Sequence, residues 1–285
     1  MKQFAVAIIG CGNVSRMHFE AYLPHPERIK IAAVCDSIPE SIDEVRRVYG
    51  IEQGFVALEE MITQAEWEVA IVCTPTSVRK QVVDALASAG KHVFVEKPFA
   101  DTYQDARHMV DTCRRANIKL AVNQNFRYHY PFETARELVA QGTIGQVFSL
   151  VHQDLMFRQD TGWRTQVKRH AMAVMGVHWF DGFRRLLDDE VTTLVCQMRS
   201  SAAIQCVGET DASVQMSFKR GALVSYVESF SSPLSKTETL VLGDRGALFL
   251  TYDRVSLFDL TSPGKARRQW ENPYCGSHKP ETTLF

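Results

Sequence analysis

Glu96-Lys97-Pro98 closes an apolar run, KHVFV, that reads as a strand over residues 91–95. A lysine at the carboxyl end of a parallel strand can exchange a proton with a hydroxyl or carbonyl oxygen while a hydride moves. Taken alone, the tripeptide reads better as a surface Glu-Lys pair at a turn. A second stretch, Ala7-Ile8-Ile9-Gly10-Cys11-Gly12-Asn13-Val14-Ser15, links a strand-like run to a helix-like one. Gly10 permits a tight turn and Gly12 lets the backbone approach a pyrophosphate. The helix amino end at Asn13 and Val14 offers free N–H groups and a positive dipole to that anion. Ser15 stands where a third glycine is usual. Such a stretch also fits a plain strand-to-helix turn. Asp36 ends the next run, AVCD, 24 residues after Gly12. A carboxylate there accepts from both ribose hydroxyls of an adenosine and repels a 2′-phosphate, and Ser37 adds no arginine. These residues favour NAD over NADP. The other reading of Asp36 is a turn residue or helix cap.

Elements must hold these groups in place. Strand and helix signals alternate through residue 122: runs at 4–10, 31–35, 68–73, 91–95 and 118–122 are separated by helical patterns at 14–23, 39–49, 78–89 and 102–116. Residues 55–63 are ambiguous and fit a short strand followed by a helix. Apolar strands alternating with helices predict a parallel sheet covered on both faces. After residue 122 the pattern changes. Helices are expected at 130–141 and 169–187, and a long strand at 146–157. Hairpin-type strands follow at 193–198, 213–219, 222–230, 237–242, 247–252 and 255–260, which argues for a mostly antiparallel sheet. The tail after Ser262 is polar and proline-bearing, and is expected to be poorly ordered.

The chain has 285 residues with 32 Lys+Arg and 33 Asp+Glu, for a net charge of −1. No basic excess is present for phosphate neutralisation, so nucleic acid is not the expected partner. No run of about 18 apolar residues exists to span a membrane. Seven scattered cysteines without a CxxC pair read as reduced thiols in a cytoplasmic protein, and no metal site is expected.

The stretches AIIGCGNVSRMH, AVCD, Cys73-Thr74-Pro75, ALASAGKHVFVEKPFA, NFRYHYP, Gly142-Thr143-Ile144-Gly145 and MGVHWFD occur in one order and spacing. In this the chain resembles the glucose–fructose oxidoreductase, inositol dehydrogenase and MocA-like family over nearly its whole length. The resemblance implies an α/β Rossmann domain (1–122) plus an α+β second domain (123–285) with an open, mostly antiparallel sheet. The second domain would bind substrate and form a homodimer or homotetramer through the open face. Family members usually continue further, so the resemblance implies a shortened member, a truncated gene product or an incomplete sequence. The implied activity is NAD(P)-dependent hydride transfer to or from a sugar-like or cyclitol-like hydroxyl or carbonyl. The alternatives are a dinucleotide-binding regulator and a glycosidase that uses NAD transiently.

Carried over by position, Lys97 resembles the proton-transferring lysine, and Glu96 would orient it near the nicotinamide ribose. Thr74 and Pro75 would border the adenosine and pyrophosphate, and Asn123 to Arg127 would pass the nicotinamide. His178 matches the histidine that faces substrate and cofactor. Some positions depart from the family. Val174 stands where dehydrogenases commonly carry Asp, four residues before this histidine. Arg169-His170 replaces a glycine pair, and on one helix His170, Val174 and His178 would share a face, letting His170 reach the site. Asp181, nearly one turn past His178, would hold it or serve the structural role the family mainly gives that position. The family's Asn-x-x-His has become Thr76-Ser77-Val78-Arg79, with Arg79 expected to be solvated on its helix or to meet an acidic substrate group. Trp163 and Arg164, with Tyr128 and Tyr130, are candidates for lining a sugar pocket: Trp offers an apolar platform and Arg a carboxylate grip. Trp163 packed inward beside a surface Arg164 is the alternative.

Overall fold

The computed structural model describes residues 2–273, which form two compact units dividing between Gln124 and Asn125. The first unit contains β1 (Phe4–Ile9), α1 (Asn13–Tyr22), β2 (Ile29–Cys35), α2 (Pro39–Tyr49), β3 (Gln53–Phe55), α3 (Leu58–Gln64), β4 (Val69–Val72), α4 (Thr76–Ser88), β5 (His92–Glu96), α5 (Tyr103–Arg115) and β6 (Leu120–Asn123). Its strands are all parallel, in the order β3-β2-β1-β4-β5-β6. The central strands are apolar on both faces because helices cover both: Ala7, Ile8, Ala70 and Val72 are fully buried. The chain winds one way from β1 to β2 and β3 and the other way from β4 to β6. A ligand crevice therefore opens outside the carboxyl ends of β1 and β4. The ambiguous residues 55–63 form the end of β3 and most of α3.

The second unit contains α6 (Tyr130–Ala140), β7 (Val147–Phe157), α7 (Val177–Leu187), β8 (Val191–Arg199), β9 (Asp211–Phe218), β10 (Leu223–Ser229), β11 (Ser231–Gly243), β12 (Gly246–Leu250), β13 (Arg254–Asp259) and β14 (Arg268–Glu271). Its sheet runs β14-β13-β12-β11-β7-β10-β9-β8. Every neighbouring pair is antiparallel except β7 and β10, which are parallel. One face packs against α6 and α7 through Leu150, Val214, Tyr226 and Val241 beneath Trp179 and Phe183. The opposite face shows Val151, Val195, Leu223 and Val227 to solvent.

Two expectations need correction. The helix expected over 169–187 is present from 170 to 187 but is not regular: Met172–Gly176 is a π-helical turn, and the regular α7 begins at Val177. The wider turn breaks the 3.6-residue register that would have put His170, Val174 and His178 on one face. The tail after Ser262 is also not without structure, because β14 pairs with β13 and sets Trp270 opposite Val255. Cys275 and Pro280, also in that tail, lie outside the described residues. Among the described residues, no helix is long and apolar enough to cross a membrane, and no three His, Cys, Asp or Glu side chains are grouped to hold a metal.

Candidate functional site

The glycine loop of the first unit is fixed from two sides. Gly10 has φ +95°, and a Cβ there would lie 2.9 Å from the carbonyl carbon of Cys73, so both the turn and the approach to the β4–α4 loop demand glycine. The Asp36 carboxylate accepts from the Cys11 amide at 2.7 Å and from the Ile38 amide at 2.9 Å. It thus ties the glycine loop to the end of β2 and closes its own turn. Each oxygen keeps a lone pair for a further donor. Gly12, the residue before α1, has no atom within 4 Å of its Cβ position. α1 has no side-chain cap, so its first amides remain available at Asn13 and Val14. Ser15 is fully buried, and its hydroxyl donates to the Gly12 carbonyl at 2.6 Å, which is how a third-position serine fits here. Across the crevice, Pro75 precedes α4, and the Thr74 hydroxyl is buried without a partner. Open space at Gly12, free helix-terminal amides, an orphaned hydroxyl and a held carboxylate fit a dinucleotide.

Glu96 and Lys97 leave the carboxyl end of β5, and the Lys97-Pro98 peptide is cis. Lys97 is half-buried. The Glu96 carboxylate is buried beneath it. One oxygen takes His18 Nε2 at 2.8 Å and the Asn123 amide at 2.6 Å, and the other takes the Lys97 amide at 3.2 Å. Burial pushes the Glu96 pKa up, but the bonds from His18 and Asn123 and the charges of His18 and Lys97 outweigh it and hold it below the ordinary value. His18 Nδ1 faces the Tyr22 hydroxyl at 3.1 Å. A buried chain Tyr22–His18–Glu96–Asn123 therefore joins α1, β5 and β6. Arg79 is not solvated. It is 2% exposed and donates to main-chain carbonyls of Thr74, Glu96, Pro98 and Phe99. Its helix turns it inward, so a substrate group does not meet it at the surface.

In the second unit, His178 is buried on α7 and stacks on Phe126, with ring centroids 4.1 Å apart. The next residue, Trp179, donates its indole N–H to buried Asp154 at 2.8 Å, which fixes the rotation of α7. Of the two roles expected for Asp181, the structural one fits its contacts. Its two oxygens take Nε and Nη2 of Arg127, each at 2.7 Å. Val174 lies in the apolar core with Met172 and Met175. His170 is fully buried, and its Nε2 lies 2.9 Å from Asp160, whose carboxylate is also gripped by Arg158 at 3.0 and 3.1 Å. That bond and an edge contact with Phe230 hold His170 at the foot of the helical segment. Trp163 and Arg164 share a short turn, Gly162–Gln166, with the guanidinium 5.5 Å from the half-exposed indole ring. Tyr128 is exposed beneath Arg185, and Tyr130 opens α6.

Three contributors had no assigned role in the sequence reading: His18, Asp160 and Asp154. His18 had a usable signal, because Ser15, His18, Phe19 and Tyr22 form the buried stripe of α1. Asp154 and Asp160 had none, since their partners come from distant elements or from across a loop.

Comparison with known proteins gives the family and the fold. Residues 4–124 match a family profile described as oxidoreductase family, NAD-binding Rossmann fold, and residues 132–249 match the GFO/IDH/MocA C-terminal domain. D-apiose dehydrogenase of Paraburkholderia graminis is 28% identical over 261 residues, covering 89% of this chain and 69% of the relative. Myo-inositol 2-dehydrogenase of Thermotoga maritima is 26% identical over 260 residues, covering 90% and 78%. Among solved structures, an Agrobacterium radiobacter oxidoreductase in complex with NAD+, L-tartaric acid and magnesium superposes with a TM-score of 0.88 at 21% identity, covering 99% of this chain and 85% of that one. Levoglucosan dehydrogenase in complex with NADH and levoglucosan gives 0.88 at 20% identity, covering 99% and 87%. At these identities the structures establish the shared fold.

Proposed function

Since the chain belongs to the Gfo/Idh/MocA oxidoreductase family, we propose that it is an NAD-dependent dehydrogenase or reductase of a small sugar or cyclitol. The observation that carries this reading is the Asp36 carboxylate bonded to the Cys11 amide, which makes the ribose-binding acid and the pyrophosphate loop one rigid piece. Asp36 would hold the adenosine ribose, Gly12, Asn13 and Val14 the pyrophosphate, and Thr74 and Pro75 the opposite wall. NAD bound there supplies a hydride acceptor, and NADH a donor. Lys97 takes the proton of the substrate hydroxyl in oxidation and returns it in reduction. Glu96, held ionised by His18 and Asn123, keeps a negative charge beside that lysine and favours return of its ammonium form. His178 is the second unit's candidate for proton handling. Val174 brings no carboxylate. Trp163, Arg164 and Tyr128 are the proposed sugar contacts, because each is at least partly exposed and offers an aromatic face or a fixed cation. Self-association through the exposed face bearing Val151, Val195, Leu223 and Val227 is also proposed.

The test measures NADH binding first and then NADH absorbance with myo-inositol, D-apiose and levoglucosan. Turnover by the wild type, lost in Lys97→Ala with NADH affinity kept, supports the assignment. Binding without any absorbance change across the panel overturns the enzymatic reading, and full activity in Lys97→Ala overturns the role of the lysine.

A further inference from the structure

The buried stripe of α4 runs Thr76, Arg79, Val83, Leu86 and Ala87, so a guanidinium occupies a place whose neighbours along the helix are mostly apolar. Burying a cation there is costly unless its donors are met. Both Nη groups are met by backbone carbonyls, while Nε is buried without a partner among the described residues. Nη1 donates to the carbonyl of Glu96 at 2.6 Å, to that of Pro98 and, at 3.5 Å, to that of Phe99, while Nη2 donates to the carbonyl of Thr74. The carbonyls of residues 96 and 98 belong to the residues on either side of Lys97. One planar fork therefore anchors both neighbours of the lysine and ties them to the β4–α4 loop across the crevice. Lysine cannot reproduce this, since it offers three donors from a single point. The charge is retained in place: burial draws the guanidinium pKa down to about 10, and Glu96 from β5, Cys73 beyond β4 and Asp101 after the cis peptide hold it up.

The geometry points to Arg79 as the positioning residue of Lys97, fixing the backbone from which the lysine presents its amine to the substrate oxygen. The inference rests on Lys97 as the proton carrier proposed above. Misplacing a reacting group by about 1 Å can cost roughly a hundredfold in rate. Loss of the fork should therefore appear in turnover far more than in cofactor binding, because Asp36 and the glycine loop do not touch the fork and at Thr74 the fork takes only the main-chain carbonyl.

Two readouts on the full-length, NAD-loaded protein test this. One is kcat on the sugar and cyclitol panel together with the NADH Kd. The other needs no substrate: the ¹³C signal of reductively methylated Lys97, assigned by its loss in Lys97→Arg. Arg79→Gln is expected to lower kcat about 30-fold with NADH Kd within about 2-fold, and to shift and broaden the Lys97 signal. Arg79→Lys, the milder variant should the glutamine not fold, keeps the charge but not the fork, and is expected to lower kcat about 10-fold with the Lys97 signal shifted in the same direction. An unchanged Lys97 signal and kcat in Arg79→Gln, with Lys97→Ala inactive, overturns the role of Arg79 alone. Equal losses of kcat and NADH affinity in both variants also overturn it, as general damage to the fold. Full activity in Lys97→Ala, or a wild type inactive on the whole panel, overturns the reading beneath it.

Discussion

Gly10 and Gly12 sit two residues apart, and the structure gives their alanine variants opposite fates. At Gly10 the backbone has φ +95°, and the added methyl would meet Cys73 C at 2.9 Å and both Cys73 O and Thr74 N at 3.0 Å. These are backbone atoms held in the sheet, since the Cys73 amide bonds the Ile9 carbonyl at 2.7 Å. The dihedral alone costs about 1–2 kcal/mol for an L-residue. Displacing a main-chain segment adds a similar amount, so Gly10→Ala should lose roughly 2–4 kcal/mol. For a protein of this size that lowers the first thermal transition by about 5–15 °C. At Gly12, φ is −76° and nothing lies within 4 Å of the Cβ position. Gly12→Ala should stay within about 1 kcal/mol of wild type, the cost of a poorer residue before the helix. The methyl would instead occupy the approach to the pyrophosphate and weaken NADH binding at least about 10-fold. Calorimetry without ligand and NADH fluorescence titration separate the two. A Gly12→Ala variant that binds NADH as tightly as wild type, or a Gly10→Ala variant that melts with it, would refute the reasoning.

Asp36→Ala removes the acceptor of two backbone amides and the ribose ligand together. NADH affinity should fall by at least about 10-fold and discrimination against NADPH should shrink, checked by parallel titrations. Glu228 is fully buried beside Asp154, and burial followed by the Asp154 charge raises its pKa well above the ordinary value. A raised acid stabilises the fold below its unfolded pKa and loses that contribution as pH rises. Wild-type thermal stability should therefore decline above about pH 5, and Glu228→Gln should flatten the decline. Parallel melting curves with the same slope in both proteins would count against it. Asp160 shows the reverse sign. Burial raises its pKa, but the bonds from His170 and Arg158 and their charges outweigh that and hold it low. Its contribution is complete above about pH 4 and falls away in acid. Asp160→Asn should cost about 2 kcal/mol at pH 7 and weaken the acid dependence, read from denaturant curves at pH 7 and pH 3.

Much of the first unit was legible because its signals are local. The run Ala7 to Ser15 carries its own turn, its glycines and its helix start, and Asp36 is placed by the strand that ends at it. What escaped were contacts made across the fold. His18 meets Glu96 from 78 residues away, and no periodicity encodes that bond. Solvation is the ordinary expectation for an arginine on a helix such as Arg79. Yet its spacing from Val83 and Leu86 put it on the buried stripe, and the acceptors that pay for its burial are carbonyls from two loops. In the second unit the π-helical turn defeated a 3.6-residue reading of His170 to His178. The parallel pairing of β7 and β10 was hidden because antiparallel and parallel strands alternate alike. Asp181 stood within reach of His178 in sequence, but the fork of Arg127 satisfies both of its oxygens at once.

The central claim is hydride transfer between a polyol carbon and nicotinamide, and mass analysis of the cofactor tests it most directly. The wild-type protein is incubated with NAD and a panel substrate deuterated at its carbinol carbons. The account predicts NADH carrying the deuterium, formed by wild type and not by Lys97→Ala. NADH without the label, or none from a protein shown to bind the cofactor, would contradict it.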